Sequence, residues 1–217
     1  MKIVSFFLAF MLISVFAFAQ NGITCFTIPN SIFPVGANTS INSQISEDTS
    51  GNILICSVGA GLITFDGINY SSFTTNNSGI ASNNITAVAV DSATNTYFIA
   101  TSDSGLSVFN GNTWVNFNTS NSGIASNKLT CLKVKNNIAY LGSSVGLSIY
   151  NAGTILNYTV NNSTLQCDTI LSLECDNLGN LWIGSTKGLL NFDGVNFSSV
   201  SAFNNQVISA VCFADNY

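Results

Sequence analysis

Between positions 179 and 194 the chain reads GNLWIGSTKGLLNFDG. Leu181, Trp182 and Ile183 are apolar, the pattern breaks from Gly184 to Gly188, resumes with Leu189, Leu190 and Phe192, and stops at Asp193-Gly194. This predicts two short strands with a turn between them and a turn after them. The same pattern is written three times upstream: GNILICSVGAGLITFDG from Gly51, NTYFIATSDSGLSVFNG from Asn95 and NIAYLGSSVGLSIYNAG from Asn137. The glycine before the second strand of the pair falls at Gly61, Gly105, Gly146 and Gly188, in steps of 44, 41 and 42 residues. A fixed period of this size marks an array in which each repeat is one supersecondary unit.

Two more segments complete each repeat. A β-branched stretch precedes the pair as ITAVAVD at 85–91, LTCLKVK at 129–135 and ILSLECD at 170–176, with a last isolated copy, ISAVCFAD, at 208–215. A short aromatic stretch follows the pair, from Tyr70 to Phe73, Trp114 to Phe117, Ile155 to Tyr158 and Asn196 to Val200. Four short antiparallel strands within a period of roughly 40–45 residues make one blade of a β-propeller. The punctuation fits. Asp66-Gly67, Asn110-Gly111 and Asp193-Gly194 are dipeptides that accept positive φ at both central positions of a type I′ turn. Asp48 to Asn52 and Asp176 to Asn180 read as longer hairpin turns, with the acid bonding backbone amides and glycine taking the left-handed position. The link SGIASN is identical at 78–83 and 122–127.

The first nineteen residues are different in kind. Lys2 is their only charge, an apolar run follows, and the segment closes on Ala17-Phe18-Ala19. This is the pattern of a secretory signal peptide cleaved before Gln20, in preference to an uncleaved membrane anchor. The expected organisation is a signal peptide at 1–19 and a partial propeller over 20–217. The propeller part comprises an N-terminal strand at 23–28, blades at about 41–75, 84–118, 128–159 and 169–200, and the start of a further blade at 207–217. Thr24-Cys25-Phe26-Thr27 aligns with Val115-Asn116-Phe117-Asn118, so the mature chain is expected to open on a fourth strand and to stop just after a first one. About four complete blades are then a fragment of a larger propeller, since an open seam would leave unpaired edges.

Composition narrows the function classes. Charged residues are 7% of the chain, with 5 Lys+Arg against 10 Asp+Glu and a net charge of −5. The absence of a basic cluster argues against nucleic acid and anionic membrane surfaces as partners. The six cysteines would permit three disulfides in an oxidising compartment, but they do not recur at one repeat position and are read as small apolar residues. No CxxC pair is present, so thiolate metal binding is not expected. The chain contains no histidine and no arginine, no Walker motif, no GxSxG and no DxDxDG loop. Asp66, Asp91, Asp176 and Asp193 sit in turns where a structural role suffices. No catalytic, cofactor-binding or metal-ligating residue is therefore singled out. Trp182 is expected to pack between blades; Trp114, in the outermost strand, is expected to be partly exposed.

GNLWIGSTKGLLNFDG, followed by an aromatic strand and an Ile/Val-rich strand ending in Asp, resembles the two-component regulator propeller repeat. The resemblance covers most of residues 41–217 and is strongest in the fourth repeat. The second, with Asn95-Thr-Tyr-Phe, and the third, with a shortened turn at Asn136-Asn137, depart from the pattern. Neither Gly-His nor Trp-Asp occurs, which sets WD repeats aside. The resemblance implies a seven-bladed propeller, located in the periplasmic sensor part of hybrid histidine kinases or in secreted proteins of Bacteroidetes-like bacteria that carry a C-terminal sorting domain. The leading expectation is a non-catalytic exported module, secreted, on the cell surface or in the periplasm. It would bind a glycan, peptide or protein with loops on one face, for which Asp103, Lys187 and Trp114 are the candidates. The alternative is the sensor region of a hybrid two-component histidine kinase. A polysaccharide-acting enzyme ranks last.

Overall fold

The computed structural model describes residues 2–5, 16–19 and 40–213, with side chains from position 44 onward. Strands β1 (Lys2–Ser5) and β2 (Phe16–Ala19) pair antiparallel within the expected signal segment. The strand expected at 23–28 lies outside the described residues.

The remainder is four four-stranded antiparallel sheets, each wound in chain order from an inner to an outer strand. The first blade is β3 (Ser40–Glu47), β4 (Ile53–Val58), β5 (Leu62–Phe65) and β6 (Tyr70–Phe73). The second is β7 (Ile85–Asp91), β8 (Thr96–Thr101), β9 (Leu106–Phe109) and β10 (Trp114–Phe117). The third is β11 (Leu129–Lys135), β12 (Ile138–Ser143), β13 (Gly146–Asn151) and β14 (Thr154–Tyr158). The fourth is β15 (Ile170–Cys175), β16 (Leu181–Ser185), β17 (Gly188–Phe192) and β18 (Phe197–Ser199), followed by one 3-10 turn at Ser201–Phe203. Each inner strand carries a register shift near its start, at Ile41/Ile45, Ile85/Ala87, Leu129/Cys131 and Ile170/Ser172. A bulge there bends the strand as it enters the hub.

The core lies between blades. The second strands of the two middle blades are apolar on both faces because each touches a neighbouring blade on both. Leu54 and Cys56 of β4 meet Ile85, Val88 and Ile99 of the second blade, while Phe98 and Ala100 of β8 meet Leu129, Leu132 and Leu141 of the third. Cys131 and Leu147 of the third blade meet Ile170, Leu173 and Ile183 of the fourth. Each link drops one residue into the seam, Ile80, Ile124 and Leu165, all buried. A buried aliphatic side chain of this size contributes about 1.5–3 kcal/mol.

Two sequence expectations change. The Asp66-Gly67, Asn110-Gly111 and Asp193-Gly194 turns are not type I′, because only the glycine takes positive φ, at 96°, 92° and 99°. Each instead spans four residues, closed by the side-chain oxygen of the first, which accepts from the third and fourth N–H groups. The two-residue loops with left-handed geometry at both positions are in the third blade. They are Asn136-Asn137 (φ 52° and 60°) and Ala152-Gly153 (φ 46° and 88°). The copy of a first strand expected from 208 forms no ladder over its described part. It runs extended, with the Ile208 N–H donating to the Ser185 carbonyl at 2.9 Å. Its side-chain packing is nonetheless that of a next blade. A Cβ on Gly184 would fall 3.0 Å from Ile208 Cγ2, just as one on Gly142 would fall 2.7 Å from Ile170 Cγ2. What it lacks is a second strand beside it among the described residues.

Candidate functional site

Strand direction sorts the loops onto two faces. The turns between second and third strands and the links between blades lie on one, called here the upper face. The first-to-second and third-to-fourth turns lie on the other, lower face.

The upper face is built from one repeated clasp. A hydroxyl at the end of each second strand, on Ser57, Thr101, Ser143 and Ser185, is buried. It donates to the carbonyl of the repeat glycine at 2.7, 2.8, 3.0 and 2.9 Å. The same oxygen accepts from a turn N–H, those of Ala60, Ser104, Val145 and Lys187. The glycine is required by what lies over it. A Cβ on Gly61, Gly105 or Gly146 would sit 2.0, 2.2 or 2.3 Å from the carbonyl oxygen that ends the outer strand, on Phe73, Phe117 and Tyr158. The links lock in the same repeated way. Asn77, Asn121 and Asn162 accept from the N–H of Thr74, Asn118 and Thr159, and each donates Nδ2 to a carbonyl of the outer strand.

Within this frame Asp103 and Lys187 stand exposed in equivalent hairpin turns, two blades apart on the upper face. Asn84 Nδ2 donates to Asp103 Oδ2 at 2.8 Å and Ser104 Oγ to Oδ1 at 2.9 Å. Burial pushes the Asp103 carboxyl up, but hydrogen bonds from Asn84, Ser82 and Ser104 more than reverse this and hold it below its ordinary value. Trp114 does not join them. It opens β10, directly after a lower-face turn, and stacks on Phe109 at 4.5 Å with Phe73 edge-on at 5.4 Å. Phe65/Tyr70 and Phe192/Phe197 form the same stacked pair across the same turn.

The lower-face acids are occupied by structure. Asp48 Oδ1 accepts from the N–H of Ser50 and Asn52, and its Oδ2 accepts from the Tyr97 hydroxyl of the next blade at 2.6 Å. Asp91 accepts the Asn137 N–H of the next blade at 2.9 Å. Lys135 of the third blade donates to the Asp176 carbonyl of the fourth. Asp176 itself takes the Trp182 indole N–H at 3.0 Å together with the Asn180 side chain and two turn amides, which lowers its pKa to about 2. Trp182 completes its surroundings edge-on to Phe213 at 5.9 Å.

Around the axis the inner strands line a cavity of about 640 Å³, whose wall carries the Lys133–Glu174 ion pair. Cys56, Cys131 and Cys167 are buried free thiols, Cys175 is half-buried and Cys212 exposed. Among the described residues no three Cys, Asp or Glu side chains are arranged to hold a metal ion, and no helix is long and apolar enough to cross a membrane. Sequence reasoning missed the hydroxyl clasp and the aspartate latches between blades. The clasp was legible as a Ser or Thr three or four residues before every repeat glycine.

The two-component regulator propeller family matches residues 164–187. No curated protein matches the chain. Among solved structures, the chain is similar to the extracellular domain of the B. thetaiotaomicron system BT4673, at TM-score 0.62 and 20% identity, over 76% of this chain and 22% of that one. It is also similar to the extracellular domain of the B. thetaiotaomicron hybrid two-component system BT3049, at TM-score 0.53 and 16% identity, over 74% and 30%. A third likeness is to YCF48 from Cyanidioschyzon merolae, at TM-score 0.52 and 11% identity, over 76% and 57%. The chain thus spans less than a third of the two B. thetaiotaomicron domains. Residues 164–187, from the third link through β15 and β16 to the upper-face turn, match the two-component regulator propeller repeat, in a chain folded as a run of β-propeller blades.

Proposed function

We propose that this chain is the propeller part of a non-catalytic, exported binding module, which holds a glycan, peptide or protein partner on its upper face. One observation carries the reading. The lower-face carboxylates of Asp48, Asp66, Asp91, Asp176 and Asp193 accept hydrogen bonds from the turns that hold the blades, whereas Asp103 and Lys187 present opposite charges to solvent on the other face. A partner that wraps the rim would also meet the edge of Trp114.

A direct test is to screen the purified protein against polysaccharide and peptide arrays. Binding that weakens about tenfold or more in Asp103→Ala or Lys187→Ala, at unchanged melting temperature, is the expected result. Binding indifferent to both changes moves the site elsewhere. Release of shorter saccharides from an arrayed polysaccharide overturns the non-catalytic reading.

A second reading, the sensor region of a hybrid two-component histidine kinase, is favoured by the likeness to extracellular domains of such systems. A membrane span and kinase encoded in the same reading frame would select it. A C-terminal sorting domain would select the first.

A further inference from the structure

We propose that Asn110-Gly111, in the lower-face turn of the second blade, is a site of spontaneous modification. The amide of Asn110 is lost through a succinimide, and the blade tolerates the aspartate that results. The chain holds two Asn-Gly pairs, and this one is the pair among the described residues. Both of its residues are exposed, and the Gly111 N–H, the group that must attack, has no hydrogen-bond partner among the described residues. A Cβ placed on Gly111 would meet nothing within 4 Å, so the rest of the chain does not crowd the turn on that side. The group under attack is polarised. Asn110 Oδ1 accepts from Asn112 N, Thr113 N and Thr113 Oγ1 at 3.0, 2.8 and 3.1 Å, three donors placed to stabilise the negative charge that develops there.

Three Asn-Ser pairs in the links between blades are held back. In Asn77-Ser78, Asn121-Ser122 and Asn162-Ser163 the serine N–H already donates to the carbonyl of Thr74, Asn118 or Thr159, and the asparagine Nδ2 donates to an outer-strand carbonyl. Both bonds must open before attack. In the reaction, solvent hydroxide takes the Gly111 amide proton and the nitrogen bonds to Asn110 Cγ. The Cγ–Nδ2 bond breaks, and ammonia leaves. Water then opens one of the two imide carbonyls, giving aspartate or isoaspartate. The aspartate product is already written into the protein. The first and fourth blades carry Asp66 and Asp193 at this position, and those carboxylates accept the same pair of turn amides at 2.6–2.8 Å.

Incubation of the protein in mildly alkaline buffer, followed by peptide mapping with mass spectrometry, tests the site. The mass gain of amide-to-acid conversion should accumulate in the Asn110 peptide at least about tenfold faster than in peptides bearing Asn77, Asn121 or Asn162, the factor expected when two hydrogen bonds must first open. If any of those three converts as fast as Asn110, the assignment of the site fails. Asn110→Asp tests tolerance separately. It should melt at or above the parent temperature near neutral pH, and a drop of several degrees would overturn the claim that the blade accepts the product.

Discussion

Aspartate is used in this chain as a connector. Asp176 is the clearest case, because hydrogen bonds from the Trp182 indole, Asn180 and the turn amides favour its charged form and hold its pKa near 2, below the ordinary 3.8. The sign of the pH effect follows. A carboxylate whose folded pKa is depressed contributes stability that is fully present above its unfolded value and is lost as pH falls through the folded one. Asp48, Asp66, Asp91 and Asp193 are shifted in the same direction. The melting temperature should therefore hold steady above about pH 5 and fall between about pH 4 and pH 2. Trp182→Phe, which keeps the ring and removes the donor, should move the acid midpoint upward. An acid titration followed by circular dichroism checks this, and an unmoved midpoint would mean that the indole bond carries no linkage. Asp48 makes the sharper test between blades. Tyr97→Phe removes the hydroxyl that donates to a buried carboxylate across the seam. The expected cost is about 1.5–3 kcal/mol, the range for a hydrogen bond to a charged group, read from urea unfolding.

At the level of the strand and turn, the repeat glycine and the turn glycine look alike in sequence and differ in the fold. Gly105 and Gly111 both have positive φ, at 82° and 92°. A methyl group on Gly105 would lie 2.2 Å from the Phe117 carbonyl oxygen, against backbone that cannot yield, while one on Gly111 would enter open space. Gly105→Ala should therefore cost about 3 kcal/mol or more, whereas Gly111→Ala should cost only the left-handed penalty of about 1–2 kcal/mol. Equal losses in denaturant unfolding would refute the packing explanation. These two glycines also show what was readable beforehand. The period of 41–44 residues and the apolar run of each second strand marked the blades, because a strand set between two blades buries both of its faces. The turn type was misread because Asn-Gly and Asp-Gly signal a two-residue hairpin only when the strands run up to them. Here a side-chain oxygen caps two amides and lengthens the loop. The Asp48–Tyr97 and Asp91–Asn137 latches were illegible for another reason. They join residues 46 to 49 positions apart, and no local pattern says which blade faces which. Of the candidate site, the shared face of Asp103 and Lys187 and the partial exposure of Trp114 followed from the repeat, but the aromatic stack that holds Trp114 depended on Phe73 of the preceding blade.

Across the whole molecule, stability is a sum over blades and the seams between them, since each blade touches its neighbours and little else. The second and third blades are sandwiched on both sides by other blades. The fourth is not. Its forward surface, bearing Trp182 and Gly184, is covered by the segment 204–213, through the Ile208–Ser185 and Asn205–Lys187 backbone bonds, the Ile208 side chain and Phe213. That cover is thin, for Val207 and Phe213 remain 66% and 45% exposed. Local opening draws on the least buried unit first. Amides of β16 and β17 should therefore exchange with solvent ahead of those in β8 and β12, although all four strands lie inside a sheet with a partner on each edge. Phe213→Ala should widen the gap and shift Trp182 fluorescence to longer wavelength as the ring loses its neighbour. Equal protection across the blades in a hydrogen-exchange experiment would show that this segment seals the fourth blade as fully as a neighbouring blade would. The seam energy would then reside in the few contacts of Ile208 rather than in a full sheet-to-sheet face.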